Sequence, residues 1–364
     1  MRTAPPAPDP DRLKAFQFLV FSKLEGATTA GMIHLGDRLG LYAALAAADA
    51  PLTTGELAER TGLVERWVRE WAYNQAAARI VAVDGEDGDE RFSLSPEAEA
   101  VLAAPEHEAY GVGMFHDLPQ TMRALEALPE SFRTGLGYDY DAHGPEAAVG
   151  MERSFEPWNR AHLVPTVLPT MDGVQAKLEA GARVVEIGCG AGGAVLMLAE
   201  AFPASEITGY DISQHALERA AARQREAGLE NAAFHDPRED PLPTDHSIDF
   251  VLTFDCLHDM TDPQGVMSLI RGAVADDGTW LLVDIKARDT LAENMTRNPM
   301  APMMYGISVL SCLSSALSEP GGAGLGTLGL PASRAESMAR AAGFTRFRRL
   351  PVDHAINAFF EVRP

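Results

Sequence analysis

The chain has 364 residues, of which 46% are hydrophobic and 23% charged. That composition supplies a large core spread over two or three domains, and it excludes a disordered, collagenous or disulfide-stapled protein. With 30 basic and 52 acidic residues the formal net charge is -22, which repels nucleic acid at long range but says little about a small substrate.

Residues 1–10, MRTAPPAPDP, are proline-rich and read as a disordered tail. They lack the apolar stretch of a signal peptide or anchor. No apolar run reaches bilayer-spanning length, and Cys189, Cys256 and Cys312 lie far apart with no CxxC, which suits a reducing cytoplasm. Residues 11–105 follow a three- and four-residue apolar rhythm. Thr54 is placed to cap a short helix, Thr61-Gly62 to turn the chain, and a second helix follows from Val64. Strand candidates at Ile80–Val83 and Arg91–Leu94 flank the turn-rich GEDGD, so the segment reads as a winged helix-turn-helix. It carries nine basic against fifteen acidic residues, a net of -6. Its second helix offers Arg66 and Arg69 beside Glu65 and Glu70, and its wing holds Asp84, Glu86, Asp87, Asp89 and Glu90. Phosphate neutralisation dominates DNA affinity, so such a surface argues against a DNA reader.

Residues 106–180 read as a helical connector with a lid, built around GLGYDYDAHGPE. From residue 181 to 364 the pattern changes. Strand candidates VVEIG, ITGYD, AAFHD, DFVLTFD and WLLVDI alternate with helical segments, which predicts an α/β fold with a Rossmann-like doubly wound parallel sheet. The last twenty residues hold two strand-like runs joined by a turn, and GGAGLGTLG (321–329) reads as a flexible connection.

VVEIGCGAGG is a strand running into Gly188, Gly190, Gly192 and Gly193, where backbone must turn tightly and approach a ligand. The spacing also satisfies the dinucleotide fingerprint, so a nicotinamide dehydrogenase competes. Glu186, two residues before the first glycine, can order the loop and face a cationic group. Asp211 ends the next strand, 19 residues beyond Gly192, where ribose hydroxyls would be bound. Asp236 follows the third strand candidate, placed to receive an adenine amino group. DFVLTFDCLHDMTDP sets His258 and Asp259 just past the fourth strand.

On these motifs the chain resembles the class I S-adenosylmethionine-dependent methyltransferases, with the glycine loop Glu186-Ile-Gly-Cys-Gly-Ala-Gly192 and an antiparallel seventh strand at the end. The resemblance runs from near Trp158 to the C-terminus. A dehydrogenase normally has a small or apolar residue at Glu186 and needs no acid at Asp236. The resemblance implies S-adenosylmethionine as cofactor, with Gly188, Gly190 and Gly192 at its methionine part and Asp211 at the ribose. Ile212 would pack on the adenine, Asp236 and Pro237 would contact its edge, and Phe254 and Asp255 would flank the cofactor after the fourth strand. Pro237 departs from the family's usual Ala or Phe. The segment His258-Asp259-Met260 is similar to the His-Asp-Trp motif of winged-helix small-molecule O-methyltransferases, which implies His258 as general base and Asp259 as its companion. His258 can equally cap the following helix or hold its loop.

The family's crossing helix corresponds to ERSFEPWNRAHLVPTVL, which implies that Trp158 and His162 face the acceptor. Met295, Met300, Met303, Met304 and Tyr305, after the fifth strand, can line an irregular apolar pocket or fill core. Phe115, His116, Tyr138 and Tyr140 are further lid candidates. A small, largely apolar organic acceptor is expected, with oxygen favoured over nitrogen or carbon only through His258; the alternative is a cofactor-binding protein of the same fold that has lost transfer or uses the sulfonium for non-methylating chemistry. The histidines show no HxxxH pair, so no metal is expected. The resemblance also implies a homodimer formed by the N-terminal domain. The layout is most similar to the actinobacterial, mycobacterial-type branch of these enzymes, and neither nucleic acid nor membrane is expected as a partner.

Overall fold

The computed structural model describes residues 7–86 and 88–364. Residues 1–6 of the expected tail and Asp87 of the expected wing lie outside them. The chain divides into two compact units, Met1–Leu118 and Pro119–Pro364.

In the first unit the helix α1 spans Pro10–Arg38, starting inside the stretch expected to be a tail. Asp9 caps it, its carboxylate accepting the Arg12 N–H at 2.9 Å. Helices α2 (Leu41–Ala46), α3 (Thr54–Thr61), α4 (Glu65–Ala77) and α5 (Pro96–Leu102) follow, with the short antiparallel strands β1 (Ala82–Asp84) and β2 (Arg91–Ser93) as the wing. The cap of α3 is Thr53, not the expected Thr54. Thr53 is the residue still in extended backbone, and Glu56 reaches back to its N–H at 2.8 Å to complete a capping box. Gly62 closes the same helix in the left-handed conformation. The core of the unit gathers Leu41, Tyr42, Leu57, Val68, Trp71 and Phe92, with the Tyr42 hydroxyl donating to buried Gln75.

The second unit is a seven-stranded sheet flanked by helices. Its strands are β3 (Arg183–Ile187), β4 (Glu206–Tyr210), β5 (Ala232–His235), β6 (Ile248–Phe254), β7 (Val274–Ile285), β8 (Arg346–Arg349) and β9 (Asn357–Arg363). They lie in the order β5-β4-β3-β6-β7-β9-β8, with β3 to β7 parallel and β9 antiparallel to both its neighbours. The expected sheet and its reversed last strand are therefore present. Alternation divides the side chains between two cores. Val184, Phe250, Leu252, Leu281 and Val283 face one side, packed with the helix Gly193–Ala201. Val185, Val251, Trp280 and Leu282 face the other, packed with the helices Pro263–Ala273 and Ala332–Ala341.

The strand order reverses between β3 and β6, and open α/β sheets bind ligands at the carboxyl ends of strands at such a switch point. The loop after β3 carries the glycines and the turn after β6 carries His258. The segment 321–329 is not simply a flexible connection, because Gly326 donates its N–H to the His258 carbonyl at 3.0 Å and Ala323 donates to Thr261 at 2.8 Å. Thr327 and Leu328 are buried, so this segment buttresses the His258 turn.

Leu252 is fully buried in the central strand β6. Leu252→Ala is expected to cost about 2–5 kcal/mol, because a close-packed core relaxes only partly around the cavity. Urea denaturation followed by far-UV circular dichroism measures this, and an unchanged midpoint would contradict the packing described.

Candidate functional site

The glycine loop is shaped from both sides. Gly188 has a left-handed backbone (φ 72°), and a Cβ on it would lie 2.5 Å from the Cys256 side chain, so the β3 loop packs directly on the turn after β6. Gly190 (φ 52°) has open space where its Cβ would be, leaving a bare backbone cradle. Asp211 stitches this loop to the end of β4, one oxygen accepting the Gly190 N–H at 2.8 Å and the other the Ser213 N–H at 2.8 Å. Burial raises its carboxyl above the usual range against the pull of those donors. Ile212 beside it is exposed, available to pack on a ring.

Glu186 is buried, and its Oε2 has no hydrogen-bond partner. Burial pushes its pKa up to about 8, opposed by a hydrogen bond from the Val195 backbone in the first turn of the following helix. Asp255, in a left-handed backbone (φ 49°) just after β6, is pushed to about 7 by burial and by Asp284, and it accepts a hydrogen bond from Asn357. Phe254 ends β6 and packs against the sheet core. Asp236 is placed after β5 as expected, but its carboxylate is already held. Arg238 binds it at 2.6 Å, which lowers its pKa, and Gln214 donates to it at 2.8 Å. Arg238 also donates to the Ile212 carbonyl at 2.7 Å, so an adenine edge would have to share Asp236 with this arginine. Pro237, having no N–H, offers no backbone donor there.

His258 sits in the 3₁₀ turn Leu257–Asp259 and is only 2% exposed. Its Nδ1 donates to Asp284 Oδ1 at 2.7 Å, and the same oxygen accepts the Ile285 N–H. Burial alone would lower the imidazole pKa, but Asp284 and a hydrogen bond with the Cys312 thiol outweigh it, and the pKa ends well above the ordinary value. With Nδ1 committed to Asp284, Nε2 is the nitrogen left for chemistry. Asp259 is pushed to about 7 by burial, with His258 pulling it down and Asp284 pushing it up.

Trp158 and His162 lie on the helix Pro145–His162, their rings 4.7 Å apart. His354 stands edge-on to Trp158 at 4.5 Å, and burial together with Lys286 lowers its pKa to about 4. The helix is tied to the cofactor side by Glu156, which binds Arg223, while Arg223 also donates to the Ala191 carbonyl in the glycine loop. Tyr138 hydrogen-bonds the Ser314 hydroxyl through its N–H, and Tyr140 opens the short turn Tyr140–His143. Met304 is buried with Ile285, Ala301 and Leu328 and serves as core filler, whereas Met295, Met300, Met303 and Tyr305 keep exposed faces. Phe115 and His116 belong to the first unit, where Phe115 packs near the Trp71 core and its carbonyl accepts from His34.

Sequence reasoning missed Asp284, Cys312 and His354. Asp284 had a legible signal, since an acid inside the buried run WLLVDI needs a partner. Cys312 gave none.

Residues 178–320 match the family model described as a methyltransferase domain, and residues 27–104 match an Rv2258c-like winged HTH domain. Human N-acetylserotonin methyltransferase, solved in complex with SAM, is 18% identical with a TM-score of 0.68, over 99% of each chain. A putative O-methyltransferase from Nostoc punctiforme is 17% identical with a TM-score of 0.71, over 98% of this chain and 100% of that one. The mitomycin 7-O-methyltransferase MmcR is 20% identical with a TM-score of 0.69, over 98% and 99%. Polyketide synthase ThaQ of Burkholderia thailandensis is 35% identical over 108 residues, which is 29% of this chain and 5% of ThaQ. The uncharacterized protein RP789 of Rickettsia prowazekii is 32% identical over 107 residues, 19% of its length, so the chain spans only a small part of the curated relatives it matches. Residues 178–320 are therefore similar to a methyltransferase domain and residues 27–104 to an Rv2258c-like winged-helix domain, and the solved structures share the fold; S-adenosylmethionine is the cofactor that the glycine-loop motif implies.

The site suits that cofactor. An unpartnered buried carboxylate oxygen on Glu186, the open cradle at Gly190 and several acids held partly protonated all call for a cationic ligand. Glu186, Asp255 and Asp259 become anionic as pH rises through about 7 to 8. Affinity for the sulfonium form should therefore gain on that for the neutral thioether S-adenosylhomocysteine, by roughly tenfold between pH 6 and pH 8. Calorimetry in buffers of different ionisation enthalpy should also register protons released on binding. A preference that stays flat with pH would contradict this electrostatic account.

Proposed function

We propose that the protein transfers a methyl group from S-adenosylmethionine to a hydroxyl of a small, largely apolar organic acceptor, with His258 taking the hydroxyl proton. The observation that carries the reading is the buried His258–Asp284 pair, set at the switch point in the turn that packs on the glycine loop. Glu186, Gly188, Gly190, Gly192, Asp211, Ile212 and Asp255 would hold the cofactor. When bound, it supplies a methyl group on a sulfonium that already leaves readily.

The chain's own residues then have two tasks, alignment and proton removal. Asp284 holds the imidazole in the tautomer whose Nε2 lone pair can accept a proton, and it stabilises the imidazolium that results. In the resting site Asp284 keeps His258 protonated, so the base must first lose that proton. A positive charge bound close by lowers the imidazole pKa, which couples filling of the cofactor site to arming of the base. The same resting protonation favours a second reading, in which His258 only donates a hydrogen bond and the acceptor is a nitrogen or an activated carbon.

The exposed faces of Met295, Met300, Met303 and Tyr305 support an apolar acceptor. Aromatic or polyketide-like acceptors fit that surface, in keeping with the mitomycin and N-acetylserotonin methyltransferases that share the fold. A DNA-reading role is disfavoured, because Arg66 and Arg69 are paired with Glu70 and Glu65 along their own helix. Among the described residues no helix is long and apolar enough to cross a membrane, and the three cysteines are free, in keeping with a cytoplasmic protein. We place a homodimer interface on α1, whose Phe16, Phe18, Val20, Phe21 and Leu24 are all more than half exposed. Phe18 and Phe21 also line a groove of about 530 Å³ with Asn74 and Ala77 of α4 and Ala78 just after it. Apolar area of that kind is normally covered.

His258→Ala is expected to lower kcat by about 10²–10⁴ with little change in S-adenosylhomocysteine affinity. The wild-type rate on a hydroxyl acceptor should rise with pH along a limb lying above histidine's ordinary value, since Asp284 raises the pKa. Asp284→Asn should shift that limb to lower pH, and an acceptor ionised beforehand should rescue His258→Ala. Near-normal turnover by His258→Ala would leave the second reading standing.

Light scattering on the full chain should give the mass of a dimer, and Phe18→Glu with Phe21→Glu should give a folded monomer. A wild-type monomer with α1 ordered would overturn the assignment of the interface.

A further inference from the structure

We propose that His258, Asp259 and Cys312 form a three-ligand site for a thiophilic divalent cation of the zinc type. One donor atom from each of the three lies within 4.8 Å of the others, although 53 positions separate Asp259 from Cys312. Zinc binds imidazole nitrogen and carboxylate oxygen at about 2.0–2.2 Å and thiolate sulfur at about 2.3 Å. Its ligand atoms therefore stand roughly 3.2–3.8 Å apart. Side-chain rotation would have to bring the donors from within 4.8 Å of one another onto one ion. Three protein ligands drawn from nitrogen, sulfur and oxygen, with a fourth position left open, suit zinc or cobalt. Magnesium and calcium prefer all-oxygen shells.

The surroundings are built as a ligating histidine requires. Its Nδ1–H is donated to the buried Asp284 carboxylate at 2.7 Å, which leaves Nε2 as the ligating nitrogen. Asp284 Oδ2 is buried without a hydrogen-bond partner beside the site. The thiol already hydrogen-bonds the imidazole. Both arms are fixed to the scaffold. The His258 carbonyl is held by Gly326, and Cys312 opens the short helix Cys312–Ala316, which packs on the His258 turn. Tyr138 bonds that helix through Ser314.

Binding of the ion releases the thiol proton and any proton on Nε2 to solvent. It also withdraws Nε2 from proton transfer, so an occupied site and a free base exclude each other. That consequence rests on the proposed role of His258, whereas the site itself does not.

The test is titration of the full-length protein with Co²⁺, followed by the near-ultraviolet thiolate-to-cobalt charge-transfer band and the visible bands of a four-coordinate ion. One equivalent should bind with the charge-transfer band, and Zn²⁺ should displace it. Cys312→Ser should abolish the band and weaken binding at least tenfold, with an unchanged circular dichroism spectrum, while Cys189→Ser should leave both untouched. Absence of the band, or its survival in Cys312→Ser, overturns the proposal. Because this readout needs no methyl acceptor, its failure is distinct from a failure of the His258 kinetics.

Discussion

The second unit is organised around negative charge that the protein alone does not neutralise. Glu186, Asp211, Asp255, Asp259 and Asp284 cluster at the carboxyl ends of β3, β4, β6 and β7, and among these named groups and His258 only the histidine can carry positive charge. Burying a carboxylate is costly unless it is paired or protonated. The cluster meets that cost by holding several carboxyls protonated near neutral pH, which leaves the site ready for a cation. The high pKa of His258 follows from this charge imbalance, as would the proposed binding of a sulfonium and of a metal ion.

That imbalance persists only because the scaffold is rigid. The two apolar cores clamp the sheet from both faces, so the ends of β3 and β6 hold a fixed separation. Gly188 then allows the two loops to touch through Cys256, and the segment 321–329 pins the His258 turn from outside. Low-stability loops would let water in and relax the pKa shifts. The left-handed Asp255 is the one non-glycine residue of the site in which the backbone accepts strain, at the point where β6 must turn the chain toward His258.

The winged-helix unit obeys a different constraint. Arg66 and Arg69 of its α4 helix are paired with Glu70 and Glu65 and its wing is acidic, while α1 exposes apolar side chains. Surface chemistry of that kind fits a protein contact better than a polyphosphate.

Much of this was legible in the sequence, because strands, helices and the glycine loop are set by local rules. Period-two and period-3.6 patterning placed all seven strands of the sheet, and the spacing from Gly192 to Asp211 placed an acid beside the loop, since a βα unit has a nearly constant length. Thr53 displaced Thr54 as the cap by one residue, within the latitude of local reasoning. What the sequence could not state is which distant side chains meet. Arg238 occupies Asp236 from two residues away, yet nothing in the order of the residues says that the carboxylate turns to it rather than to the cleft. Asp284 and Cys312 converge on His258 from 26 and 54 positions along the chain, through the β6–β7 register and the packing of a five-residue helix. Whether His258 is neutral or charged is decided by those partners. Coulombic coupling depends on distance in space, and only the closed tertiary structure sets it.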